Sequence, residues 1–165
     1  MTDTWTLVFS DPEPLAADAT RRDRVLYGFL RRLRPGFRHV YAMRPAGRFK
    51  GWIVANWHSG RLDLIEVPAD EPVDIGPHRF ESYGAYIWHA CEQGLAHAVP
   101  VEARDGRTWH PRGGATCVTA MKHLLGIPAP GVFTPWQLYR HLNPDLFRSR
   151  TVDNWLHRHL TKGEP

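Results

Sequence analysis

A short apolar run opens the chain, and a longer run with helical spacing follows it. Trp5–Phe9 is rich in β-branched and aromatic residues and is closed by Ser10-Asp11-Pro12, which predicts a strand and a turn. From about Ala16 to Leu33 the apolar residues recur at helical spacing, so the pattern predicts an amphipathic helix that stops at Pro35-Gly36. The apolar positions of this helix are Val25, Leu26, Phe29, Leu30 and Leu33.

Three strand-like runs come next. They are Arg38 to Arg44, Gly51 to Trp57 and Arg61 to Val67, and turn residues separate them at 45–47 and 59–60. Short runs joined by short turns favour neighbouring antiparallel strands. The sequence therefore predicts an antiparallel meander.

The pattern is less regular after residue 67. Residues 68–84 mix prolines, glycines and acids, which predicts a surface loop with an edge segment. Tyr86 to Cys91 and Ala96 to Ala103 are interpreted as two more strands, and a helix is the alternative for the first of them. Asp105-Gly106 then predicts a turn.

Helical signals dominate the last third of the chain. Thr116 to Gly126 has helical spacing and a terminal glycine, and Cys117 lies in its first turn. Thr134-Pro135 has the chemistry of an N-cap and first helical position, so a second helix is predicted from there to Asn143-Pro144. A last helix is predicted over about Thr151 to Leu160.

Together these elements predict one α+β domain over residues 1–165, with a central antiparallel sheet packed by helices and a helical C-terminal extension at 134–160. The composition agrees with a folded chain: 42% of the residues are hydrophobic and 23% are charged. The best apolar stretch, Val118 to Ile127, is interrupted by Lys122 and His123, so no membrane span is expected. The N-terminus has no basic and apolar signal pattern, so a cytoplasmic location is expected.

The chain is mildly basic. Its 21 Lys and Arg residues exceed its 17 Asp and Glu residues and give a net charge of +4, which permits an anionic partner without requiring one. The cluster from Arg21 to Arg34 is the densest basic segment. Its amphipathic pattern favours a solvated helix face over a phosphate-binding surface, so binding of nucleic acid is not expected.

Cys117 is the main candidate for chemistry. A thiol in the first turn of a helix lies near unpaired N–H groups and the positive end of the dipole, which stabilise a thiolate. Gly113-Gly114 lets the backbone turn sharply there and places amides where an oxyanion forms. The alternative is that Cys117 only packs in the core, as most buried cysteines do.

A base for Cys117 is predicted at His39, because a strand aims an imidazole rigidly. Asn56 lies on the next predicted strand. Its amide oxygen is expected to accept the Nδ1 proton of His39 and to leave Nε2 facing the sulfur. The predicted triad is Cys117, His39 and Asn56. The alternative for His39 is a sheet histidine that only hydrogen-bonds a carbonyl. The alternative for Asn56 is a residue that only caps its strand, with His58 as another candidate for the orienting group.

The order of these residues, a strand histidine, a polar residue on the neighbouring strand and a cysteine that opens a helix, resembles the permuted papain-like arrangement of the NlpC/P60 superfamily. The resemblance covers roughly residues 37–126, and the 17-residue spacing from His39 to Asn56 is close to the papain-like interval. It implies a cysteine peptidase, amidase or acyltransferase that works on a peptide or amide substrate through a thioester and needs no cofactor. Short segments further along the chain also resemble small phage and prophage proteins, which suggests a virion context: Thr-Cys-Val, Lys-His-Leu-Leu-Gly and Thr-Pro-Trp-Gln-Leu-Tyr.

The sequence also contains two other candidate sites and allows one alternative function. His89, Cys91 and His97 are a conceivable zinc set, but their spacing follows no familiar zinc loop. Three tryptophans are candidate walls of an aromatic cleft, with core packing as their commoner role: Trp52, Trp57 and Trp109. The alternative function is a non-enzymatic structural or assembly protein of a phage particle that uses the same fold.

Overall fold

A computed structural model describes residues 4–12, 20–47, 50–58, 61–75, 78–103 and 116–144. The predicted last helix at about Thr151 to Leu160, the Asp105-Gly106 turn, Gly113-Gly114 and Trp109 lie outside the described residues.

The protein has a five-stranded antiparallel sheet at its centre. Its strands are β1 Thr4–Ser10, β2 His39–Pro45, β3 Gly51–His58, β4 Arg61–Pro68 and β7 Ala96–Glu102. The order across the sheet is β4-β3-β2-β1-β7, so β4 and β7 are the edges. The three consecutive strands β2, β3 and β4 at one end of the sheet confirm the predicted meander, and β1 pairs with both β2 and β7.

Four helices lie among the described residues, and none of them is long and apolar enough to cross a membrane. Their bounds are α1 Arg21–Leu30, α2 Tyr83–Glu92, α3 Cys117–Leu124 and α4 Pro135–Leu142. The α+β class is therefore confirmed. The last two helices begin at threonine caps, since Thr116 and Thr134 each accept a hydrogen bond from a backbone amide three residues ahead, and the cap at Thr134 is the predicted one.

The structure corrects one prediction between residues 68 and 92 and adds detail to another. Tyr86 to Cys91 is not a strand but part of α2, because Ser82 caps a helix there by accepting a 3.1 Å hydrogen bond from the Ala85 amide. The surface loop predicted before it contains a small two-stranded hairpin, β5 Val73–Ile75 paired with β6 His78–Phe80. Three-residue strands are too short to give a clear alternation in sequence.

The two faces of the sheet carry separate hydrophobic clusters. On one face α3 packs against β2 and β3, and α4 packs against α3; on the other, α2 packs against β7. Successive side chains of β2 alternate between them, with Val40 and Ala42 on the α3 face and Tyr41 and Met43 on the α2 face. Trp52 is buried in the α2-side cluster, so it packs in the core.

Candidate functional site

His39 and Asn56 lie together in the structure. The Nε2 atom of His39 is 2.8 Å from Oδ1 of Asn56, across the boundary between β2 and β3. Both side chains are part-buried. The backbone ladder between the two strands runs only from Ala42↔Ala55 to Pro45↔Trp52, so this side-chain bond joins the strands at a point beyond it.

The atoms in this hydrogen bond differ from those predicted. The hydrogen bond from the His39 ring to Asn56 is predicted at Nδ1, whereas in the structure it is formed by Nε2. A carbonyl oxygen can only accept, so Nε2 carries the proton and Nδ1 is the basic nitrogen of the neutral ring. The cause is tertiary: Asn56 lies beyond the end of the ladder, where the far nitrogen of the ring reaches it.

Cys117 is the first residue of α3, as predicted. Thr116 caps the helix: its hydroxyl accepts from the Thr119 amide, while the Thr119 hydroxyl accepts a 2.6 Å hydrogen bond from the Thr116 amide. This reciprocal pair fixes the first turn and therefore the direction of the thiol. The Cys117 side chain packs against the cluster on the α3 face of the sheet.

The electrostatics at Cys117 contain two opposing effects. Burial raises the pKa of the thiol, and hydrogen bonds from the backbone amides of Val40, Val118 and Cys117 itself lower it. Burial dominates, so the pKa lies above its ordinary value of 9.0. The resting side chain is therefore a neutral thiol, and its use as a nucleophile requires a base that removes the proton.

The Val40 amide connects Cys117 to the histidine strand. Val40 follows His39 directly, and its N–H group hydrogen-bonds to the Cys117 sulfur. His39 and Tyr41 are two residues apart on β2, so their side chains point to the same face of the sheet, and the two rings stack with centroids 6.1 Å apart. The thiol thus belongs to the α3 face of the sheet and the imidazole to the α2 face. The structure brings His39 and Asn56 together and places Cys117 against the opposite face of β2.

Cys91 has a different environment. It lies on α2, where burial raises the pKa of its thiol to about 11 although the Ala98 amide hydrogen-bonds to it. Because its segment is helical, Cys91 and His89 do not share a face as they would on a strand. No group of three or more metal-ligating side chains occurs among the described residues, so the proposed zinc set with His97 finds no support there.

Two features of this site are not predicted by the sequence. Tyr41 is buried and hydrogen-bonds to Tyr83 of α2, which fixes the residue that stacks on His39. The alternation of side chains along a strand could have predicted the His39–Tyr41 contact, because residues i and i+2 lie on the same face. The amide of Val40 is the other feature, and no sequence pattern reveals a backbone group that meets a side chain from a distant helix.

Comparison with protein-family models, with curated proteins and with solved structures found no match to this chain.

Proposed function

We propose that the protein is a cysteine-dependent amide hydrolase or acyltransferase in which Cys117 is the nucleophile, His39 the general base and acid, and Asn56 the residue that orients His39. The 2.8 Å bond from His39 Nε2 to Asn56 Oδ1 is the observation that carries the proposal, because it selects the tautomer with a basic Nδ1. The sulfur is bonded to the amide of the very next residue of that strand.

The reaction follows from these groups. In the proposed reaction the His39 ring passes the end of the β2–β3 ladder to reach the sulfur from the opposite face. Its Nδ1 then takes the Cys117 proton as the sulfur attacks the carbonyl carbon of the substrate amide, and the developing oxyanion accepts from backbone N–H groups at the start of α3. The C–N bond then breaks, and the leaving amine takes the proton back from Nδ1. Water or an acceptor amine then attacks the thioester carbon and gives a proton to Nδ1 of His39. The C–S bond breaks, and the sulfur takes the proton back, which restores the thiol.

A neutral, buried thiol requires this proton transfer within the reaction. Because burial raises the pKa of Cys117, little thiolate is present at neutral pH without a base. The same observation favours the second candidate function, a non-enzymatic structural or assembly protein of a phage particle in which Cys117 packs the interface of α3 with the sheet.

Thiol alkylation separates the two functions. The experiment compares iodoacetamide labelling of Cys117 in a Cys91→Ala background, with and without His39→Ala, from about pH 6 to pH 9 around the ordinary thiol pKa. We expect a rate at pH 7 that falls about 10²-fold in the His39→Ala protein, the low end for general-base assistance. His141→Ala, which removes an exposed imidazole from α4, is the control and leaves the rate unchanged.

Equal and slow labelling of both proteins, with a single titration above pH 9, favours the structural function and overturns the hydrolase proposal. Thermal melts of each variant by circular dichroism accompany the rates, since an unfolded variant labels quickly for a trivial reason. Fast labelling counts only in a variant that melts cooperatively.

A further inference from the structure

Helix α1 has an exposed apolar side. Val25 is 69% exposed, Leu26 is 49% exposed and Phe29 is 60% exposed. The sequence pattern suggests that these positions face a core, but they face outward in the structure. Three large apolar side chains on neighbouring positions of one helix thus form a surface patch that is exposed among the described residues.

The patch is bordered by cations. With 100° per residue, Val25, Leu26 and Phe29 share one side of the helix, where position 22 is also an arginine, and Arg21, Arg24 and Arg31 occupy the neighbouring side. The helical hydrogen bonding continues to Arg31, whose amide donates to Tyr27 O at 2.9 Å. All three arginine residues are exposed.

We propose that α1 lies on the surface of an anionic phospholipid bilayer, with Val25, Leu26 and Phe29 among the acyl chains and the arginines on lipid phosphates. A basic amphipathic helix with an aromatic residue on its apolar side is the pattern of an interfacial helix. Guanidinium groups bind phosphate oxygens in pairs. A nucleic acid matches the charge but has no apolar layer for the three side chains.

The binding has two separable contributions. Each arginine near an anionic membrane surface strengthens binding roughly fivefold, and this part weakens as salt screens the charges. The phenyl ring of Phe29 contributes through burial, about tenfold, and this part does not depend on lipid charge. Neither contribution uses Cys117 or His39, so the inference stands apart from the proposed hydrolase.

The test is co-sedimentation of the full chain with large vesicles. One vesicle type holds equal parts of phosphatidylglycerol and phosphatidylcholine, and the other holds phosphatidylcholine alone. We expect binding to the anionic vesicles that falls about tenfold in Phe29→Ser and about 25-fold in the double variant Arg21→Gln, Arg31→Gln. Raising the salt from about 50 mM to about 300 mM weakens binding of the wild type.

Matched controls lie elsewhere on the surface. Phe133 is 66% exposed but belongs to the segment before α4, so Phe133→Ser retains full binding. Arg79 is an exposed arginine of β6, so Arg79→Gln retains nearly full binding. Circular dichroism verifies that each variant keeps its fold.

Three results overturn the inference. The first is no sedimentation with anionic vesicles, which leaves α1 as a docking helix for a protein. The second is binding that falls with the arginine variants but not with Phe29→Ser, which indicates adhesion by charge alone. The third is an equal loss in Phe133→Ser, which indicates unspecific apolar contact.

Discussion

Nε2 of His39 and Oδ1 of Asn56 lie 2.8 Å apart although 17 positions separate the residues along the chain. We expect long-range ¹H–¹⁵N NMR spectra to show the His39 ring with its proton on Nε2. Removing the acceptor in Asn56→Ala releases this preference, because a hydrogen bond of about 1 kcal/mol corresponds to a roughly fivefold ratio of tautomers. The Cys117 labelling rate is expected to fall by a similar factor.

Asn143→Ala is the matched control for this prediction. It removes an asparagine that bonds Tyr139 O at the end of α4, far along the chain from the histidine strand, and leaves the His39 spectrum unchanged. A wild-type ring with its proton on Nδ1 contradicts the assigned role of Asn56.

Lys122 is 3% exposed, and its ammonium group donates to Ala129 O at 2.7 Å and to Val132 O at 2.8 Å. We expect Lys122→Met to lower the free energy of unfolding by about 2–4 kcal/mol, because the two carbonyls lose a charged donor. Urea denaturation measures the change. Lys50→Met, at an exposed lysine, is the control and changes stability by less than about 0.5 kcal/mol. A neutral Lys122→Met would mean that water replaces the ammonium group.

His97 gives a prediction about pH. Its ring stacks on Phe37 with centroids 4.4 Å apart, and burial, helped by the charge of Arg34, lowers its pKa below 6.5. Tyr139 also packs against the ring, and its hydroxyl is neutral in this range because its ordinary pKa is 10.0 and burial raises the pKa further. A base with a lowered pKa binds fewer protons in the folded state, so it favours folding at pH above 6.5.

That stability is lost as the pH falls from about 7 through 6.5 towards the lower folded pKa. We expect His97→Gln to flatten this part of the curve of unfolding free energy against pH. His141→Gln, at an exposed position of α4, keeps the slope of the wild type. An unchanged slope in His97→Gln argues against a protonation penalty at this ring.

Gly51 begins β3 where the chain comes close to β4. A Cβ atom on Gly51 would lie 2.5 Å from Val67 O, a backbone atom that moves only if the strand pair moves. We expect Gly51→Ala to destabilise the fold by about 2 kcal/mol or more, measured by urea denaturation. Gly131→Ala is the control, because a Cβ there meets nothing within 4 Å. Equal stabilities would show that β3 and β4 separate at little cost.

The predicted elements differ in whether residues close in the chain determine them. The helix at Pro135 begins where Thr134 predicts, because a capping side chain acts on amides only three residues away. The helix at Cys117 begins inside the predicted stretch 116–126, where Thr116 acts in the same way. The meander follows from strand runs and tight turns in the same way. Tyr86 to Cys91 gave an ambiguous pattern, since a short apolar run fits either element until the cap at Ser82 decides.

The sequence by itself determined the α+β class, the meander and the neighbouring positions of His39 and Asn56, because adjacent strands joined by a short turn place their residues side by side. Only the tertiary structure decided which imidazole nitrogen meets Asn56, that the Cys117 sulfur reaches the Val40 amide, and that α1 turns its apolar side outward. These depend on where the β2–β3 ladder ends and on how distant segments pack, and local patterns of polarity hold no information about either.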